Sequence, residues 1–146
     1  MINDGFNLKG KVEVRLNDEV VRNIDNLVVT DGKEFVASSM IKTTSNSPAA
    51  MSHMAIGSGS TAAAAGNSAL GSQLGRVALT GGTGTVSGAV VTYVATFPAG
   101  TGTGAVTEAG ILNASSSGTL LCRTVFSVVN KGASDSMTIT WTVTVS

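Results

Sequence analysis

The stretch Met137–Val145 alternates without a fault. Met137, Ile139, Trp141, Val143 and Val145 hold one register, and Thr138, Thr140, Thr142 and Thr144 hold the other. Side chains of a strand point alternately to its two faces. The pattern therefore predicts a strand with one buried face and one β-branched, half-exposed face. The preceding run, Thr119 to Val129, places Leu120, Cys122, Phe126 and Val128 on one face. Between the runs, Asn130-Lys131-Gly132-Ala133-Ser134-Asp135 is rich in turn formers. Together they predict an antiparallel hairpin on which the core is built. Trp141 and Phe126 are its candidate core residues, joined by Tyr93 and Phe97 from an upstream strand.

The same period recurs along the chain. Val12, Val14 and Leu16 alternate with Lys11, Glu13 and Arg15, Asn17-Asp18 is a turn signal, and Val20 to Thr30 predicts a second strand with a bulge or bend. Asp31 is placed to cap a short helix over Lys33–Lys42. Met51–Ile56, Leu74–Thr80, Val86–Phe97 and Val106–Asn113 read as further strands. Thr61–Leu70 suits either a helical turn or an ordered loop. Gly-rich turns separate the strands and no helix alternates with them, so the expected class is all-β. The specific expectation is an antiparallel, jelly-roll-like β-sandwich over 44–146, preceded by an N-terminal hairpin arm and short helix over 1–43.

Charge is segregated. Of 18 charged residues, 13 lie in 1–42, and only Arg76, Glu108, Arg123, Lys131 and Asp135 follow. The rest of the second part is largely Gly, Ala, Ser, Thr and Val, which suits a subunit whose faces meet other subunits. Zero net charge gives no electrostatic case for nucleic acid or a membrane surface. The polar Met1-Ile2-Asn3-Asp4 start, with no apolar run after it, gives the expectation of synthesis in a host cytoplasm.

Little in the sequence carries chemistry. Gly57-Ser58-Gly59-Ser60, Gly82-Thr83-Gly84 and Gly100–Gly104 complete no phosphate-loop pattern. His53 is the only histidine, so one chain offers no multi-histidine metal site. Cys122, the only cysteine, alternates with apolar neighbours and reads as a small buried hydrophobe, so a Cys122–His53 dyad is disfavoured. Asn113-Ala114-Ser115 fits a glycosylation sequon, which would go unused under the expected cytoplasmic synthesis. Glu108 is the sole acid between Glu34 and Asp135. A structural ion pair of Glu108 with Arg76 or Arg123 is the expectation, because general acid catalysis needs a second group. No catalytic, metal or cofactor-binding residue is assigned.

Two groups of residues carry a resemblance. One is Met51-Ser52-His53-Met54-Ala55-Ile56-Gly57-Ser58-Gly59-Ser60, followed by Ala69-Leu70-Gly71 and Leu74-Gly75-Arg76. The other is Tyr93-Val94-Ala95-Thr96-Phe97, then Thr107-Glu108-Ala109-Gly110-Ile111-Leu112-Asn113, then Leu121-Cys122-Arg123-Thr124-Val125-Phe126. Over about 51–146 the chain resembles small structural proteins of tailed bacteriophages, with their IGxGxT strand end, EAGxFN turn and TxTWTxT closing strand. Gln73 stands where such proteins often carry an acid, and Leu112 replaces Phe. The resemblance implies a virion protein. Its first form is a capsid decoration or cement protein on the capsid surface. Its partners would be the major capsid protein and itself, as a homotrimer. Phe6, Lys9, Lys11, Arg15 and Arg22 are then the candidate capsid-contact residues of the arm. A tail-fibre, collar or spike component is the alternative, and a glycan hydrolase ranks last.

Overall fold

The computed structural model describes residues 5–41 and 48–146. Nine strands and one helix follow in the order β1 Leu8–Leu16, β2 Glu19–Val28, α1 Thr30–Ser39, β3 His53–Gly57, β4 Gln73–Ala78, β5 Thr85–Ser87, β6 Val90–Phe97, β7 Gly104–Leu112, β8 Leu120–Lys131 and β9 Met137–Val145. All strand pairs are antiparallel. The all-β class with one short helix holds. The strands do not form two separate sheets, however. They make one curled sheet in the order β4-β3-β7-β8-β2-β1-β9-β6-β5. The curl brings its ends together, so that Thr80, just past β4, donates its N–H to Val94 O of β6 at 2.8 Å.

The N-terminal hairpin sits at the centre of this sheet. Asn17 and Asp18 both take positive φ, 50° and 67°, the requirement of a tight two-residue turn whose twist suits a hairpin. Val21 is then an unopposed residue of β2, because Val14 faces Arg22 while Arg15 faces Val20. β1 pairs with β9 over nine residue pairs, Leu8 opposite Val145 to Leu16 opposite Met137. The division into an arm over 1–43 and a separate domain over 44–146 is thereby corrected. Val12 and Val14 have no exposed surface, and Trp141, opposite Val12 and Tyr93, has none either. These residues belong to one apolar cluster that also takes in Phe97, Phe126, Ile56, Ile111 and Met54. Burial, with the Cys122 thiol nearby, pushes the Tyr93 phenol up to about 12.

The expected β8–β9 hairpin does not form. β8 pairs with β7 and β2, while β9 pairs with β1 and β6. The five-residue connection, 132–136, lets the chain cross from one half of the curl to the other. Lys131, 1% exposed, holds the crossing by donating to Pro98 O at 3.0 Å and Asp135 O at 2.7 Å. The single face assigned to Leu120, Cys122, Phe126 and Val128 also fails. Val106 faces Val129 but Glu108 faces Val125, so Phe126–Val128 all stand against Thr107 alone. This bulge turns Phe126 and Val129 both inward and leaves Val128 46% exposed.

Two other assignments differ. The helix runs Thr30–Ser39 rather than Lys33–Lys42. Its N-cap is Val29 with no side-chain cap, and Asp31 lies inside the first turn. Gly32 lets the helix touch β8, since a Cβ there would run into the Leu121 carbonyl. Lys42 lies outside the described residues, as do Met1–Asp4 and most of the loop expected over Thr43–Ala50. Val86–Phe97 is two strands, not one, folded at Gly88-Ala89. Thr61–Leu70 is an irregular ordered segment, the loop of the two expected options.

The topology sets a clear expectation for truncation. Deleting residues 1–30 removes the two strands that join the β3-β7-β8 half to the β9-β6 half. The remaining chain should show no cooperative thermal transition by circular dichroism and no dispersed amide spectrum. A truncated protein that still melts cooperatively would contradict the central placement of the hairpin.

Candidate functional site

The half of the sheet formed by β3, β7 and β8 is covered on both faces. Its inner face, with Ala109 and Ile111, belongs to the main core. On the outer face Ala55, Gly110 and Arg123 lie side by side across three strands, with Gly57, Glu108 and Val125 in the next row. The segment from Ser58 to Ser72 lies over this face. It is mostly Ala, Gly and Ser, and Leu70 is its one side chain packed on the small outer cluster of Val29, Ala55, Leu112 and Leu120. Such a segment gains little from apolar burial.

What binds it is Glu108. The side chain has no exposed surface. Oε1 accepts the Gly59 N–H at 2.8 Å and the Ser72 N–H at 2.7 Å, and Oε2 accepts the Gly71 N–H at 2.9 Å. Arg123, 2% exposed, adds its Nε at 2.9 Å and Nη2 at 2.8 Å to Oε2. The guanidinium then reaches outward to Asn67 Oδ1 at 3.0 Å and Thr61 O at 3.1 Å. Thr107 Oγ1 donates to Gly59 O at 2.8 Å beside them. Gly59 is required by this approach, because a Cβ there would stand 2.5 Å from Glu108 Oε1. Burial alone would raise the Glu108 pKa, but three backbone N–H groups and Arg123 outweigh it and hold the carboxyl below its usual 4.5.

Glu108 therefore meets Arg123 and not Arg76. Arg76 Nη1 donates to Ala114 O and Ser117 O, both at 2.9 Å, and its other nitrogens hold Gln73 Oε1. It fastens the turn after β7, in which Ser117 takes φ 51°. Five donors occupy the Glu108 carboxylate, so the one acid on which a hydrolase reading rested is engaged in structure. Cys122 is fully buried and burial pushes its thiol well up. Strand β7 separates it from His53, whose Nδ1 lies 2.8 Å from Ser52 Oγ. Among the described residues no group of three His, Cys, Asp or Glu is placed to hold a metal, and no helix is long and apolar enough to cross a membrane.

The candidate contact residues of the first strands divide. Phe6 is 68% exposed, and Lys9 and Lys11 stand in solvent. Arg15 turns back to Glu13 at 2.6 Å and to Asp18 O. Arg22 donates to Ser127 O at 3.0 Å and Val128 O at 2.7 Å, so it serves the β8 bulge rather than a free surface. Sequence reasoning missed a groove of about 540 Å³ between α1 and the β1–β2 pair, lined by Phe6, Leu8, Asn26, Leu27, Val36 and Met40. The exposed apolar residues Phe6, Leu27 and Met40 were its only sequence signal, and spacing does not bring them together.

No protein-family model, curated protein or solved structure matches this chain.

Removing one partner of the buried pair leaves an uncompensated charge. Arg123→Met should lower unfolding free energy by about 3–5 kcal/mol in denaturant titration. The pH dependence has a definite sign. A carboxyl whose folded pKa is depressed stabilises fully above its unfolded pKa and loses that contribution as pH falls through the lower folded value. Wild-type stability minus Glu108→Gln stability should thus be constant above pH 4.5 and shrink below it. A difference that grows on acidification would reverse the assignment.

Proposed function

We propose that this chain is a non-catalytic assembly subunit, and specifically a virion structural protein acting as a capsid decoration or cement protein. The observation that carries the reading is the fate of charge in 48–146. Its five charged residues are all used inside the fold. Glu108, Arg123 and Lys131 are buried. Arg76 is half-buried and bound to the Ala114 and Ser117 carbonyls, and half-buried Asp135 accepts from Asn17 Nδ2 at 2.8 Å and the Gly132 N–H at 2.7 Å. What remains outside is hydroxyl, methyl, backbone and a few amides such as Gln73 and Asn130. A surface so depleted in charge resembles the core of a subunit interface more than the coat of a freely diffusing enzyme.

The resemblance to tailed-phage structural proteins supplies the particular assembly. Its shared residues Gly57, Gly59, Gly71 and Arg123 converge on the Glu108 carboxylate, which supports reading them as a structural motif. The groove between α1 and the β1–β2 pair sets apolar Phe6, Leu8, Leu27 and Met40 beside polar Asn7, Asn26 and Lys33, and we assign the shell contact to this face. Many weak copies on one shell would bind firmly by multivalency.

Particle stoichiometry tests the reading. Quantitative mass spectrometry of particles purified from the source culture should find on the order of hundreds of copies, set by shell symmetry. Recombinant protein should rebind particles stripped of it. A few to tens of copies, located on the tail, would replace the cement reading by the tail-component reading. Absence from particles would end both.

A further inference from the structure

The curled sheet has two edge strands, and they are finished differently. Edge strands usually carry a charge, a proline, a bulge or a covering segment, because their free N–H and C=O groups otherwise pair with another chain. β4 has such protection. It carries Arg76, its pairing shifts register between Ile56 and Gly57, and the chain leaving it bonds to β6 through Thr80. β5 has none. No charged residue occurs between Arg76 and Glu108, and no proline occurs from Thr80 to Phe97. All three β5 residues are exposed, with Val86 at 72%.

The hairpin geometry fixes which groups are free. β5 and β6 are joined by Gly88-Ala89, with φ +58° at Gly88 and Ser87 opposite Val90. Positive φ at the first central residue only is the turn type that closes a two-residue hairpin on a pair exchanging both hydrogen bonds. Pairs alternate between bonded and non-bonded along an antiparallel ladder. Ser87–Val90 and Thr85–Thr92 are therefore the bonded pairs. The Val86 N–H and C=O point away from β6, into solvent.

We propose that β5 is a self-association edge, at which two copies of this chain pair antiparallel about a two-fold axis centred on Val86. Each Val86 N–H then meets the other copy's Val86 carbonyl, and Thr85 stands across from the second Ser87. The pairing is self-complementary, as a two-fold interface must be. The occupant is a second copy because the neighbouring surface is uncharged and hydroxyl-rich: it offers a charged partner no complement and sets up no repulsion between copies. The contact is short and dissociates readily in dilute solution.

Sedimentation velocity on the full chain tests this, from micromolar to roughly 1 mM. Wild type should shift from monomer to dimer as concentration rises. Val86→Lys adds a guarding charge, and Val86→Pro deletes the outward N–H without removing a β5–β6 hydrogen bond. Both should remain monomeric with an unchanged melting temperature. Thr96→Lys, on the outer face of the same half-sheet, should dimerise like wild type. A nitroxide on Val86→Cys gives an independent readout, since native Cys122 is fully buried and escapes labelling. Its spectrum should show spin–spin broadening that disappears on dilution with unlabelled protein. Wild type that stays monomeric throughout, a threefold state that persists in Val86→Lys, or an unbroadened spectrum would overturn the inference.

Discussion

The coverage of the outer sheet face depends on one buried carboxylate. Glu108 sits in the middle of β7, where a charge is costly unless every acceptor site is filled. The fold fills them with three N–H groups from Gly59, Gly71 and Ser72, residues distant in sequence, and with Arg123 from β8. The segment between Gly59 and Gly71 is thereby clamped at both ends. Its own composition could not hold it, because Leu70 alone packs on the small outer cluster. The polar site replaces an apolar one, and it fixes a single arrangement where a run of Ala, Gly and Ser would otherwise slide.

The other cations follow the same logic. Where strands part, backbone carbonyls lose their ladder partners and must find donors. β2 meets β8 through only two residue pairs, Leu27–Arg123 and Val28–Cys122, and beyond them Arg22 reaches the Ser127 and Val128 carbonyls. Lys131 serves Pro98 and Asp135, Arg76 serves Ala114 and Ser117, and Arg123 serves Thr61. Four of the chain's nine basic residues thus repair irregular backbone. Curling one sheet around a single core creates these breaks, and the cations are the means by which a chain with few aromatics tolerates them.

This explains what was legible in the sequence. Period-two patterns located the strands well, because burial of one face dictates them residue by residue. The Asn17-Asp18 turn was legible because positive φ selects those residue types. Pairing was not legible. Met137–Val145 reads the same whether β8 or β1 lies beside it, and only the length of the 132–136 connection hints at a crossing. The β8 bulge was invisible, since Phe126, Val128 and Val129 are all apolar and either phase is a plausible face. The helix start was misjudged because Asp31 looks like a cap, whereas the packing of Gly32 against Leu121 sets the boundary. For the site, scarcity pointed to Glu108 and to two candidate arginines. The three glycine-flanked N–H donors had no sequence signature, because a backbone group looks the same in every residue.

The internal use of charge has a consequence at the surface. Ionic groups that complete the fold of 48–146 no longer repel neighbouring copies or mark one face from another. Threonine and serine hydroxyls line that surface, some pairing across strands as Thr96 and Thr138 do at 3.0 Å, but they are nearly alike over the whole sheet. Selectivity on such a surface must come from backbone direction and register rather than from charge. Backbone groups are directional only where a ladder ends, and an unguarded ladder end is scarce in a sheet that curls until its edges nearly meet. A chain built this way confines specific contacts to two kinds of place: its few strand edges, and the first two strands, where charge was kept outside.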